Sequence, residues 1–263
     1  MTPDAPVTLA TGTDGVARLQ LDAPDSGNAI DPAMAAALRD RAAELAQRDD
    51  VRVVVLAAAG RAFCVGGDVR HFAAAADPGA AVRSLAGDFH AALLALAALD
   101  APIVTRVQGV AAGGGLSLAL AGDLVVAGAS ASFTSAYTRI GLSPDGGQSW
   151  LLPRLIGVRR AAELMLTNRR VGPDEAARIG LVTEAVPDDA LDARVEALAA
   201  ALADGPAPAQ AAVRRLLLAS ATAPFADHLA MEADSIARLA ATPEGREGVA
   251  AFVAKRPPDF RAP

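Results

Sequence analysis

The chain is poor in the side chains from which disulfide and metal chemistry is built. Cys64 is the only cysteine among 263 residues, so no disulfide can close within it and no Cys-x-x-Cys can arise. The three histidines, His71, His90 and His228, lie far apart without a His-Glu-x-x-His, and each reads as a surface or helix-face side chain rather than a ligand. Basic charge is also short: 24 Lys and Arg against 30 Asp and Glu give a net charge of −6, and no basic run is present. That excludes a general nucleic-acid or anionic-membrane surface. Long apolar runs are missing too, since the longest weakly charged stretch, Val107 to Gly122, is shorter than a membrane span and broken by Gln108 and glycines. Met1 to Ala10 carries Asp4 and two prolines and lacks the basic start and apolar centre of a secretory leader. The expectation is a soluble, cytoplasmic protein with no nucleic-acid or membrane partner.

Aromatics are 3% of the chain while hydrophobic residues are 52%, so a core must be built from Ala, Leu and Val. The length suffices for a substantial core, and small aliphatic side chains suit helices packed closely on a sheet. Val7 to Leu9 and Val16 to Leu21 read as a hairpin around Gly12 to Gly15, and Asp31-Pro32 opens a helix reaching about Gln47. Val51 to Leu56 is a β-branched run expected of a strand covered on both faces. Helix signals up to Ala86 are broken at Pro78-Gly79, and Asp88 to Leu99 has helical spacing. Ile103 to Val107 and Leu124 to Ala127 are further strands. This alternation predicts a largely parallel sheet with right-handed crossovers. From Asp188 onward the pattern is helical throughout, which divides the chain into a core domain over 1–199 and a helical region over 200–263.

Glycine is concentrated at turns that follow strands. Gln108-Gly-Val-Ala-Ala-Gly-Gly-Gly, ending at Gly115, precedes a helical pattern from Leu116. Glycines there permit positive φ and let a ligand atom lie against peptide N–H groups at the positive end of a helix. A second turn, Phe63-Cys-Val-Gly-Gly-Asp68, follows the strand at 51–56. Each turn serves either tight packing or, with one N–H apiece aimed at a single oxygen, an oxyanion hole. The phosphate-loop pattern is absent, and Leu118 stands where a dinucleotide fingerprint needs glycine.

Among polar residues near these turns, Asp68 and Asp123 read as structural carboxylates, and Asp68 suits a helix cap. Ser117 lies in Gly115-Leu-Ser-Leu-Ala119, close to a nucleophile elbow, but scattered histidines give it no evident base and it reads as a helix-face serine. Asp145, in Pro144-Asp-Gly-Gly147, is either an N-cap for the following apolar helix or a carboxylate facing a site.

Three ordered segments, Phe63 to Val69, Gln108 to Gly115 and Ile140 to Gly147, together resemble the enoyl-CoA hydratase/isomerase (crotonase) family. The resemblance extends over nearly the whole chain, including Asn28-Ala-Ile30 and Lys255-Arg-Pro257. It implies a spiral of ββα units with C-terminal helices for trimerisation, a CoA thioester as substrate, and a homotrimer or a pair of trimers. It implies no cofactor beyond the CoA of the substrate, and no metal. Carried over by motif position, the oxyanion donors fall on the N–H groups of Gly67 and Gly114. Ala62, Cys64, Gly66, Asp68 and Val69 are implied to line the CoA path, and Val110, Gly113, Ser117, Tyr137 and Pro144 are implied to bind substrate as well, Tyr137 and Trp150 either lining the acyl pocket or belonging to the core. Lys255 resembles a C-terminal basic residue that reaches CoA phosphates.

Hydratases of the family use two glutamates, and the corresponding positions here hold Ser117 and Tyr137. Neither a hydroxyl nor a phenol of ordinary pKa replaces a carboxylate at neutral pH. Asp145 resembles the acid of the isomerase branch, as does Trp150 to Gly157. The expected activity is a double-bond shift in an enoyl-CoA or a ring-derived acyl-CoA. Hydration of a 2-enoyl-CoA is one alternative; an acyl-CoA binding module without catalysis is the other.

Overall fold

The computed structural model describes residues 5–261, so the first four residues of the stretch read for a leader lie outside it. The opening hairpin pairs β1 (Val7–Thr11) with β2 (Val16–Leu21), Val7 opposite Leu21. The Asp31 carboxylate accepts the Met34 N–H at 2.8 Å and caps α1 (Pro32–Leu45). Pro32 sits at the first helical position, where its missing N–H costs nothing. β3 (Val53–Ala58), α2 (Val69–Ala74) and α3 (Pro78–Ala98) follow. Pro78, expected as a break, begins a 21-residue helix, because Asp77 accepts the Ala80 N–H at 2.9 Å. That makes α3 long and apolar enough to cross a membrane by length and composition, although Arg83 and Asp88 interrupt its apolar run. It packs along α1 and buries Leu85, Phe89, Ala92 and Leu96.

Next come β4 (Ile103–Val107), β5 (Val110–Ala112), α4 (Gly114–Ala119), β6 (Leu124–Gly128) and β7 (Ser132–Thr134). They are followed by α5 (Gln148–Ile156), α6 (Val158–Thr167), α7 (Pro173–Ile179), β8 (Glu184–Val186) and α8 (Leu191–Ala203). The chain closes with α9 (Ala207–Ser220), α10 (Phe225–Ala240) and α11 (Pro243–Val253).

The main sheet runs β1-β2-β3-β4-β6-β8, parallel throughout except for the opening hairpin. Alternate side chains enter two different layers, as strand geometry requires. Val54 and Leu56 of β3 join Leu38 of α1 and Leu96 of α3 in the larger core, whereas Val53 and Val55 meet Leu191, Val195 and Ala199 of α8. This two-sided burial is why the strand reads as an uninterrupted β-branched run. α8 is therefore a layer of the sheet, buried down to Ala203, and the helices after it stand outside that layer.

A second, two-stranded parallel sheet pairs β5 with β7, Val110 opposite Ser132 and Ala112 opposite Thr134. Cys64 bridges to Ala111 of β5, and its N–H and C=O bond Val110 and Ala112 at 3.0 Å each. The glycine turns that follow β3 and β4 are thus laid side by side beyond the carboxyl ends of central strands, where open parallel sheets carry ligands.

Candidate active site

The first turn is held from below by Asn28, which is fully buried and in the left-handed conformation at φ 56°. Its amide nitrogen donates to the carbonyls of Ala59 and Ala62 at 2.9 and 3.0 Å, and its oxygen accepts the Ala23 N–H at 2.9 Å. Ile30 then clasps both sides of Gly67: its N–H bonds the Gly66 carbonyl at 2.8 Å and its carbonyl accepts the Asp68 N–H at 3.0 Å. With its neighbours turned towards Ile30, the Gly67 N–H faces the other side of the chain. Asp68 caps α2 by accepting the Arg70 N–H at 3.0 Å, the structural role its sequence position indicates. Val69 is exposed and Ala62 half-buried, while the Cys64 side chain lies in the core beneath the turn with no exposure. Burial pushes that thiol up to about 12.

In the second turn only the first of the three glycines, Gly113, takes positive φ, at 52°. Gly115 is needed for another reason. A Cβ there would lie 2.1 Å from the Cys64 carbonyl, so the two turns can abut only because the side chain is missing. Gly114 begins α4, where a helix N–H has no acceptor of its own within the helix. The Gly113 N–H is taken by the Thr134 carbonyl of β7 at 3.1 Å, which ties the turn to the small sheet.

The third loop brings Asp145 to the same place. Its carboxylate does not cap α5, whose N-cap is Gly147 without a side-chain bond. It accepts instead the hydroxyl of Tyr137, and Oδ2 lies 3.4 Å from Nε2 of His90. The Asp145 side chain retains 35% exposure. Tyr137 is held next to it by Ala136, a non-glycine residue at φ 65°, and Gly113 lies against the Tyr137 ring, with 3.9 Å from the ring to where a Cβ would be. Burial first, and the negative charge of Asp145 second, raise the Tyr137 phenol above its ordinary value. Tyr137 is accordingly a hydrogen-bond donor to the carboxylate and not a base. Ser117 is fully buried and donates to the Asp145 main-chain carbonyl at 3.1 Å; no nucleophile elbow is formed. Pro144 is half-buried beside it in the loop, and Val110 is half-buried at the start of β5.

His90 departs from the expectation of an uninvolved helix-face side chain. From α3 it accepts the Gly146 N–H on Nε2 at 3.1 Å, so its ring proton sits on Nδ1 in this arrangement. Nothing in sequence spacing points to it, because His90 and Gly146 are 56 residues apart. Gln148 is the other residue not foreseen. It is fully buried at the start of α5 and bonds Gly113 and Ser135. An amide directly after Gly146-Gly147 at the head of an apolar helix is the one available signal. Lys255, in contrast, is exposed in the turn after α11 and joins none of these residues among those described.

A cleft of about 480 Å³ lined by Arg61, Arg106, Gln108 and Asp188 lies elsewhere and contains none of the clustered residues. Within it Arg106 meets Asp192 and Gln108, and Asp188 accepts from Ser130.

A parallel sheet with two abutting glycine turns beyond its strands, and a half-buried carboxylate beside them, is the arrangement of a crotonase fold. The sequence matches the enoyl-CoA hydratase/isomerase family model over residues 11–263. It is 42% identical to a protein of Rhodobacter capsulatus named Probable enoyl-CoA hydratase, covering 94% of this chain and 95% of that one. It is 34% identical to the 1,2-epoxyphenylacetyl-CoA isomerase of Escherichia coli, again over 94% and 95%. The crystal structure of an enoyl-CoA hydratase of Mycobacterium smegmatis superposes with a TM-score of 0.92 at 32% identity, covering 98% of this chain and 99% of that one. The chain belongs to the enoyl-CoA hydratase/isomerase family.

Proposed function

We propose that this family member is an acyl-CoA isomerase that moves a double bond from the 3,4 to the 2,3 position, in an open-chain or ring-derived acyl group. The N–H groups of Gly67 and Gly114 hold the thioester oxygen. Asp145 removes a proton from C2, the electrons pass into a dienolate whose charge rests on that oxygen, and the same carboxyl returns the proton at C4. The step is balanced in protons and electrons, so it calls for nothing beyond the substrate's CoA and the chain's own groups. Two preorganised donors stabilise the enolate oxygen, each contributing on the order of 3 kcal/mol.

The observation that carries this reading is the single carboxylate. At the two positions where the family's hydratases place glutamates stand a buried serine bonded to main chain and a tyrosine that donates to Asp145. The similarity to an isomerase that acts on a ring-epoxide acyl-CoA supports it. Asp145→Asn is expected to lower turnover of trans-3-hexenoyl-CoA at least a hundredfold, roughly the span of general acid–base catalysis. Undiminished turnover would refute the assignment. The similarity to proteins named as hydratases favours a second reading, water addition, and formation of 3-hydroxybutyryl-CoA from crotonyl-CoA would establish it in place of the first.

A homotrimer or a pair of trimers in the cytoplasm belongs to the same proposal. Its support is an apolar surface left open on the last helices: Phe225, Ile236 and Phe252 are 77%, 71% and 86% exposed.

A further inference from the structure

Two carbonyls at the centre of the site are each bonded by the same two residues, in opposite ways. Ser117 gives its main-chain N–H to the Gly113 carbonyl at 3.2 Å and its hydroxyl to the Asp145 carbonyl at 3.1 Å. Gln148 gives its main-chain N–H to the Asp145 carbonyl at 3.2 Å and its side-chain nitrogen to the Gly113 carbonyl at 2.6 Å. The result is a closed ring of four hydrogen bonds. Both residues have no exposure, so water does not compete for these donors. The orientation of the Gln148 amide is dictated, because a carbonyl can only accept and the Ser135 hydroxyl donates to Oε1 at 2.9 Å. Ser135 is itself fully buried.

The peptide unit between 113 and 114 is planar and trans, so holding the Gly113 carbonyl also aims the Gly114 N–H, which points the opposite way. Electron density drawn from the carbonyl by the Gln148 amide and the helix N–H groups strengthens that N–H as a donor. At its other end the ring fixes the backbone of Asp145.

We propose that Ser117 and Gln148 are positioning residues, forming a reciprocal brace that sets the distance between the Gly114 amide and the Asp145 carboxyl. Serine at 117 is then more than the loss of an acid: it is half of the device that aligns the remaining one. The brace rests on the roles given above to Gly114 and Asp145, and its test is chosen to be separable from them. The carbonyl stretch of butyryl-CoA labelled with carbon-13 at the thioester reports donor strength at the oxygen without any turnover. It is expected to fall on binding to the wild-type chain, and to return part of the way in Gln148→Met and in Ser117→Ala. With trans-3-hexenoyl-CoA the same variants are expected to lose roughly tenfold to a hundredfold in kcat with KM within about threefold, as for misplaced reacting groups. The double variant is expected to lose less than the product of the two, because both residues hold the same pair of carbonyls. Ser117→Ala removes one hydroxyl and keeps the test available if Gln148→Met does not fold. Folded variants with an unshifted carbonyl stretch and wild-type kcat would overturn the brace. Failure of the wild-type chain to turn over 3-hexenoyl-CoA would overturn the isomerase reading alone, with the infrared measurement still deciding on the brace.

Discussion

Single side chains decide which chemistry the site can perform, and burial decides which of them can ionise. Tyr137 and Cys64 both have their neutral forms favoured, the first beside a carboxylate and the second inside the core. A group whose folded pKa lies above its unfolded value contributes stability that is complete below the unfolded value and is lost as pH rises towards the folded one. For Cys64 this window runs from about 9.0 to about 12. Above pH 9, and ahead of the single tyrosine, Tyr137, whose ordinary value is 10.0, the unfolding free energy from urea melts is expected to begin to fall, towards a limiting slope of about 1.4 kcal/mol per pH unit. Cys64→Ala is expected to flatten that slope, and equal slopes in the two proteins would show that the thiol is not responsible. Asp145 and the paired glycines were legible as residues because each breaks a local pattern. His90 and Gln148 were not, because a histidine on a helix and a glutamine at a helix start look ordinary until the third loop folds onto them.

At the scale of elements, short loops carry the precision of the site while the helices and strands behind them supply rigidity. Ala136 is the clearest case, since its left-handed backbone at φ 65° turns Ser135 inward to Gln148 and Tyr137 towards Asp145. An L-residue in that conformation costs about 1–2 kcal/mol; glycine removes this strain, but its greater flexibility when unfolded cancels part of the gain. Ala136→Gly is therefore expected to raise unfolding stability by about 0.5 kcal/mol, read as a higher urea midpoint at constant slope. A lower midpoint would mean that the alanine methyl is worth more in packing than the strain costs. Strand positions and the Asp31 cap are readable in the sequence because both are local in origin, whereas the strand order β1-β2-β3-β4-β6-β8 is a property of the fold alone. Pro78 opens α3 instead of breaking a helix because Asp77 before it supplies the cap, which makes the proline a helix start.

At the scale of the whole molecule the last helices carry the most open apolar surface. α10 buries none of its residues and packs chiefly on α9 and α11, which leaves Phe225 and Ile236 exposed. α9 is better attached, through Arg214, which is mostly buried and bonds Asp123 and the carbonyls of Leu96 and Leu99. Light scattering on the purified chain is expected to give a mass about three or six times 26.5 kDa. Ile236→Glu paired with Phe252→Glu is expected to shift the mass to that of the single chain. A monomeric wild-type protein at micromolar concentration would rule out the assembly.

Turn chemistry and hydrophobic period determined by themselves the parallel strands and the two glycine turns, since each depends on residues close together in the chain, while the family showed in the resemblance of three ordered segments, Phe63 to Val69, Gln108 to Gly115 and Ile140 to Gly147. Only tertiary structure decided which polar groups meet. Asp145, Tyr137, His90, Ser117 and Gln148 come from four different elements and loops, and a hydrogen bond between residues so far apart in sequence leaves no local trace in either partner.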